Sequence, residues 1–63
     1  MPMTVREAII RIEKDGWVMV RQKGSHRQFR HPVKPGIVTI AGNASLELHP
    51  KTVRSIMKQA DIT

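Results

Sequence analysis

The chain has 63 residues, with 11 Lys and Arg against 5 Asp and Glu and a formal net charge of +6. Its length allows one domain, 1–63, with a small core and a thin stability margin, and the absence of cysteine excludes a disulfide framework or a thiolate metal site. No apolar run approaches the roughly 20 residues that span a bilayer, and the amino end lacks the pattern of a secretory signal. These features set the expectation of a cytoplasmic protein with no membrane role, whose charge favours a polyanion, nucleic acid first.

Met1–Met3 are expected to fray. Thr4 followed by Glu7 makes a capping box. The helix it opens runs to about Asp15, with Val5, Ala8, Ile9 and Ile12 as one apolar stripe, and Gly16 ends it. Trp17–Arg21 is rich in strand formers. Lys23-Gly24 closes a hairpin, and a second strand runs from about His26 to Arg30. His31–Gly36 holds two prolines and a glycine and reads as a loop. Ile37–Ile40 is a third strand and Ala41–Leu48 a second loop. Pro50 suits the first turn of a closing helix, whose stripe is Val53, Ile56, Met57 and Ala60. His49 falls at its cap, where histidine is a weak choice. The order is α-β-β-β-α: an α+β fold with a three-stranded antiparallel sheet and both helices on one face.

Closing the hairpin at Lys23-Gly24 sets Gln22 opposite Ser25, Arg21 opposite His26 and Val18 opposite Phe29. Val18, Val20, Phe29, Val38 and Ile40 then lie under the helices. Trp17, Met19, Arg21, His26, Gln28, Arg30, Ile37 and Thr39 form the open face.

The turn Lys23-Gly24-Ser25-His26 draws the chemistry together. It sets one histidine at the start of a strand among basic residues, with no acid nearby. RNA carries its own nucleophile, the 2′-hydroxyl, so cleavage needs a base, positive charge on the phosphate and an acid for the leaving oxygen. A histidine with an ordinary pKa of about 6.5 suits proton transfer. Arg21, Lys23 and Arg27 are candidates for the phosphate, with Gln28 and Arg30 beside them. Gly24 admits close backbone approach, and Ser25 offers a hydroxyl or an N–H. No second histidine is tied to His26, so the general acid has no candidate. Composition alone favours an exposed His26 without a role.

His31, before Pro32, reads as a turn residue. The three histidines lack metal-ligand spacing, so neither a metal nor another cofactor is expected. Trp17 divides evenly between sealing the sheet edge and contacting RNA or a protein partner. Met19 reads as packing or a partner contact. Arg54 and Lys58, like Arg6, Arg11 and Lys14, read first as solvated helix faces.

Glu13-Lys14-Asp15-Gly16-Trp17, Arg21-Gln22-Lys23-Gly24-Ser25-His26, Phe29, His31-Pro32 and Thr52–Ala60 together resemble the HicA toxin family of bacterial type II toxin–antitoxin systems, over nearly the whole chain. The resemblance implies a fold like a double-stranded-RNA-binding domain, ribosome-independent cleavage of messenger RNA, and neutralisation by a HicB antitoxin. It maps the family's essential histidine onto His26. The chain departs from the family pattern at Lys51 and at Asp61, where glycine is common. An antitoxin is expected to cover the open face, including Trp17, Met19 and His26, on a toxin that is otherwise monomeric. Two other readings stand beside the enzyme: an RNA-binding module that does not cut, and a basic surface that only docks an acidic protein.

Overall fold

The computed structural model describes residues 2–62. The elements are α1 (Val5–Lys14), β1 (Val18–Lys23), β2 (His26–Arg30), β3 (Val38–Ala41) and α2 (Pro50–Gln59). The expected order stands, and the three strands form one antiparallel sheet in the order β1-β2-β3.

Both halves of the capping box on α1 are made. The Thr4 hydroxyl accepts from the Glu7 N–H, and the Glu7 carboxylate accepts from the Thr4 N–H. Two further donors of the first turn go to the loop before α2: Val5 N–H to the Leu46 carbonyl at 2.9 Å and Arg6 N–H to the Ala44 carbonyl at 3.0 Å. A helix start leaves its first N–H groups without intrahelical partners, so the loop is fixed by the helix it satisfies. Met3 is not frayed. Its carbonyl accepts from Leu48 N–H at 2.8 Å and its side chain packs on the core; Met1 lies outside the described residues.

Both helices end in the same device. After α1, Gly16 N–H bonds to the Glu13 carbonyl and Trp17 N–H to the Ile12 carbonyl. After α2, Asp61 N–H bonds to Lys58 and Ile62 N–H to Met57. This paired bonding is the Schellman pattern, which needs positive φ at the residue after the cap. Gly16 supplies it with φ 110°, and a Cβ there would also meet His31 Nε2 at 2.7 Å. Asp61 supplies it with φ 54°, so the departure from glycine keeps the expected conformation. His49 does cap α2: its Nδ1 accepts from Lys51 N–H at 3.1 Å.

The core gathers Val5, Ala8 and Ile12 of α1, Ile56 of α2, Ala60, Trp17, Leu48, and Phe29, Val38 and Ile40 of the sheet. Phe29 pairs with Val38 and Arg27 with Ile40, so these side chains share the face under the helices. The expected β1 register does not hold. Lys23 pairs with His26, Gln22 with Arg27 and Arg21 with Gln28. Val20 then has no partner, and pairing resumes with Met19 opposite Phe29 and Val18 opposite Arg30. The turn is centred on Gly24-Ser25, one residue later than Lys23-Gly24. The unpaired Val20 is a bulge, which switches the face of every residue before it.

Val18 therefore turns to the open face and stays 60% exposed, while Trp17 enters the core at 1%. Val20 is exposed too, so β1 contributes neither valine to the core. Met19 shares the face of Phe29 but stands on the edge strand and is half-exposed.

Trp17 is held by a latch. Its indole N–H donates to the Ala60 carbonyl at 3.2 Å. The His31 ring meets it edge-on with centroids 5.4 Å apart. His31 Nδ1 accepts from the N–H groups of Val33 and Lys34, both at 3.0 Å. With Nδ1 an acceptor, the proton of the neutral ring belongs on Nε2, which donates to the Asp15 carbonyl at 2.7 Å. Lys34 Nζ donates to the Asp15 carboxylate and to the carbonyls of Ala60 and Asp61. One loop thus binds the carboxyl ends of both helices, where positive charge is favoured.

A domain of this size carries a stability on the order of 3–9 kcal/mol, and emptying a buried tryptophan site costs about 3–5 kcal/mol. Trp17→Ala is expected to remove most of the cooperative urea transition at 25 °C, whereas Val18→Ala shifts the midpoint little. Equal midpoints for the two variants would count against the latch.

Asp15 is held below the ordinary carboxylate range, first by the Lys34 hydrogen bond. Glu7 is lowered too, first by the Thr4 N–H and then by its hydroxyl. A carboxyl lowered by folding binds fewer protons in the native state than in the unfolded one. Its contribution is therefore complete at neutral pH and is lost as pH falls through the folded-state value. Urea midpoints are expected to fall from pH 7 to pH 3. Asp15→Asn should start lower at pH 7 and lose less on acidification.

Candidate nucleic-acid interface

The sheet face away from the helices carries the candidate site. Alternation along β2 sends His26, Gln28 and Arg30 to this face, and the neighbouring strands bring Lys23, Arg21 and Val18 on one side and Ala41 and Thr39 on the other. Arg21, Lys23, Gly24, His26 and Gln28 line one open depression. His26 stands at the first position of the central strand, opposite Lys23 and Ala41. Its ring is exposed and makes no hydrogen bond among the described residues.

Gly24 has φ 58° while Ser25 stays at negative φ. That is the pattern of a two-residue hairpin with glycine first, whose twist matches the flanking strands. Nothing lies within 4 Å of where a Gly24 Cβ would stand, so the glycine serves the turn and leaves the space above it open. Gln22 Nε2 buttresses the turn by donating to the Gly24 carbonyl at 3.1 Å.

Charge is sorted along the chain. No Asp or Glu falls between Asp15 and Glu47, the span that holds all three strands. Arg21, Lys23, His26 and Arg30 thus face solvent with no carboxylate on their own sheet.

Of the residues expected at the site, Arg21, Lys23, Gly24, His26 and Gln28 come together, Ser25 sits half-buried within the turn, and Arg30 lies further along the face. Arg27 does not join them. It points to the helix side, and its guanidinium donates to the Gly42 carbonyl at 2.8 Å and the Ser25 carbonyl at 3.5 Å. Trp17 does not join them either: fully buried, it offers no surface to RNA or to a partner. Met19 keeps an exposed flank at the sheet edge. Val18 is the residue that pattern reading missed, an exposed apolar side chain on the basic face, put there by a bulge that carries no glycine to announce it.

His31 is a structural residue, as its place before Pro32 suggested, with only a tenth of its side chain exposed. Arg54 and Lys58 belong to the helix layer, beside Val53, Met57 and Ile62, away from His26. No three of His, Asp or Glu come together as a metal-binding group among the described residues.

Comparison with known proteins bears on the fold and the family. A chain of a structure described as a toxin-antitoxin complex from Streptococcus pneumoniae is similar in fold, with a TM-score of 0.77 and 34% sequence identity over 97% of this chain and 100% of that chain. No curated protein matches. Residues 5–62 match the family described as the HicA toxin of bacterial toxin-antitoxin systems. With the match running from the first residue of α1 to the second residue past the α2 cap, the chain belongs to the HicA toxin family.

Proposed function

We propose that this toxin is a ribosome-independent endoribonuclease that cleaves messenger RNA, with His26 as the side chain that moves the proton. The observation that carries the reading is an exposed histidine on an acid-free basic face, beside Arg21 and Lys23. In the reaction, the 2′-hydroxyl gives up its proton to a base and its oxygen attacks the adjacent phosphorus. The bond to the 5′-oxygen breaks, and that oxygen takes up a proton. His26 can serve either transfer. Arg21 and Lys23 offset the charge that develops on the phosphate oxygens. Gln28 and the open turn at Gly24 leave room for the sugar-phosphate chain. Arg30 extends the positive track along the strand.

The same face suits inhibition. A HicB-type antitoxin that lies over His26, Arg21 and Lys23 would exclude RNA directly, and the exposed Val18 and Met19 give it apolar area at the sheet edge. Trp17 drops out of that footprint because it is buried.

The test compares wild type with His26→Ala, both induced in cells and both purified. His26 is exposed and unbonded, so its removal is expected to change stability by no more than about 0.5 kcal/mol. Loss of general acid–base transfer costs about 10²–10⁴-fold in rate, so transcripts should persist and growth should continue. Undiminished RNA decay from a folded His26→Ala protein would refute the assignment.

A further inference from the structure

The site's histidine has no hydrogen bond of its own to hold it, so its placement depends on the turn that presents it. Gln22 buttresses that turn from within β1, and one side chain, Arg27, ties it to the far strand. Arg27 follows His26 and points to the opposite face. There its guanidinium bonds to the Gly42 carbonyl at 2.8 Å and reaches the Ser25 carbonyl at 3.5 Å. The Ser25 carbonyl also accepts from Gly42 N–H at 3.1 Å. These bonds close a ring that joins the β1–β2 turn to the residue just past β3.

The flanking residues of His26 in sequence are thus the two ends of this ring. Ser25 comes before it and gives a carbonyl; Arg27 comes after it and gives the donor. A backbone held on both sides of one residue leaves that residue's Cα–Cβ direction little freedom. Arg27 is also half-buried, paired across the sheet with the buried Ile40. A cation that grips RNA here would share the face of His26, as Arg21 and Lys23 do.

We infer that Arg27 is a positioning residue, which sets His26 by tying the Gly24-Ser25 turn to Gly42, and that it is not a phosphate contact. The inference rests on the reading of His26 as the proton carrier. It makes a distinction that the sequence hides, because Arg21, Lys23 and Arg27 are equivalent cations on paper.

The experiment uses Arg27→Gln and Arg27→Lys, with Arg21→Gln as the phosphate-contact control. RNA affinity is measured on a His26→Ala background, so that the probe, a single-stranded RNA oligonucleotide, stays intact. Arg27→Gln is expected to lower kcat about 10- to 100-fold, the scale of a small misplacement of a reacting group, with KM within about two-fold of wild type. Its slope of log affinity against log salt should match wild type, while Arg21→Gln loses about 0.7 from that slope, one phosphate contact to a single strand. Arg27→Lys should recover part of the rate, since an ammonium can still reach one carbonyl. Amide exchange at Gly42 should quicken in Arg27→Gln while the amides of Ile12 and Phe29 stay protected.

A salt slope lowered by about 0.7 in Arg27→Gln would make the residue a phosphate contact and overturn the inference. An unchanged kcat would overturn it too, as would unchanged exchange at Gly42. Should Arg27→Gln fail to fold, Arg27→Met, which also lacks a donor for the two carbonyls, carries the same three readings. Should wild type itself fail to cut RNA, that result falls on the proposed activity alone. Gly42 exchange and the His26 ring resonances in the Arg27 variants then decide whether the ring sets the turn.

Discussion

The indole of Trp17 is fixed from three directions, and most of the fold follows from that. Its backbone N–H closes the cap of α1, its ring N–H closes on the carbonyl that ends α2, and His31 stands against its edge. A tryptophan buries more area than any other side chain available to this chain, but it needs a partner for its N–H. Ala60 supplies one. With the indole inside, the strand that follows must reverse its alternation before it reaches the basic turn, and the bulge at Val20 does this. Without it Arg21 and Lys23 would face the helices, where unpaired charge is expensive. The bulge is thus the join between a core that needs Trp17 and a site that needs its cations in water.

Much of this was legible in the residues. The capping box, the two apolar stripes, Gly16 and Pro50 are local signals with local causes, and they set the helices almost to the residue. The buried face of β2 and β3 was legible because Phe29, Val38 and Ile40 can share one parity. The β1 register was not. Trp17-Val18-Met19-Val20 is apolar at every position, so alternation gives no parity to read, and the choice between Val18 and Trp17 as the buried member is made only by the helix ends that close around the indole. The turn centre slipped by one for a related reason. Lys23-Gly24 and Gly24-Ser25 both place a glycine in a tight turn, and only the requirement for positive φ at the first central residue separates them.

The site divides the same way. That His26, Arg21 and Lys23 share the open face was legible because each falls next to the turn on one strand parity. Arg27 was not, since a guanidinium serves a phosphate and a pair of carbonyls equally well and sequence does not say which it meets. Likewise His26 and His31 are alike as letters. One is bare on an open face. The other spends both ring nitrogens on backbone groups and loses its freedom to do anything else.

The latch and the basic turn lie at opposite ends of β2, about 16 Å apart for five residues of strand. The residues that keep the chain folded and the residues that face solvent at the turn are therefore different sets, joined by one short strand. For a gene of this kind, decay has two distinct endpoints. A lesion at the Trp17 end yields an unfolded chain that proteases clear. A lesion at the His26 end leaves the core and the latch intact and yields a folded protein with an altered surface that persists.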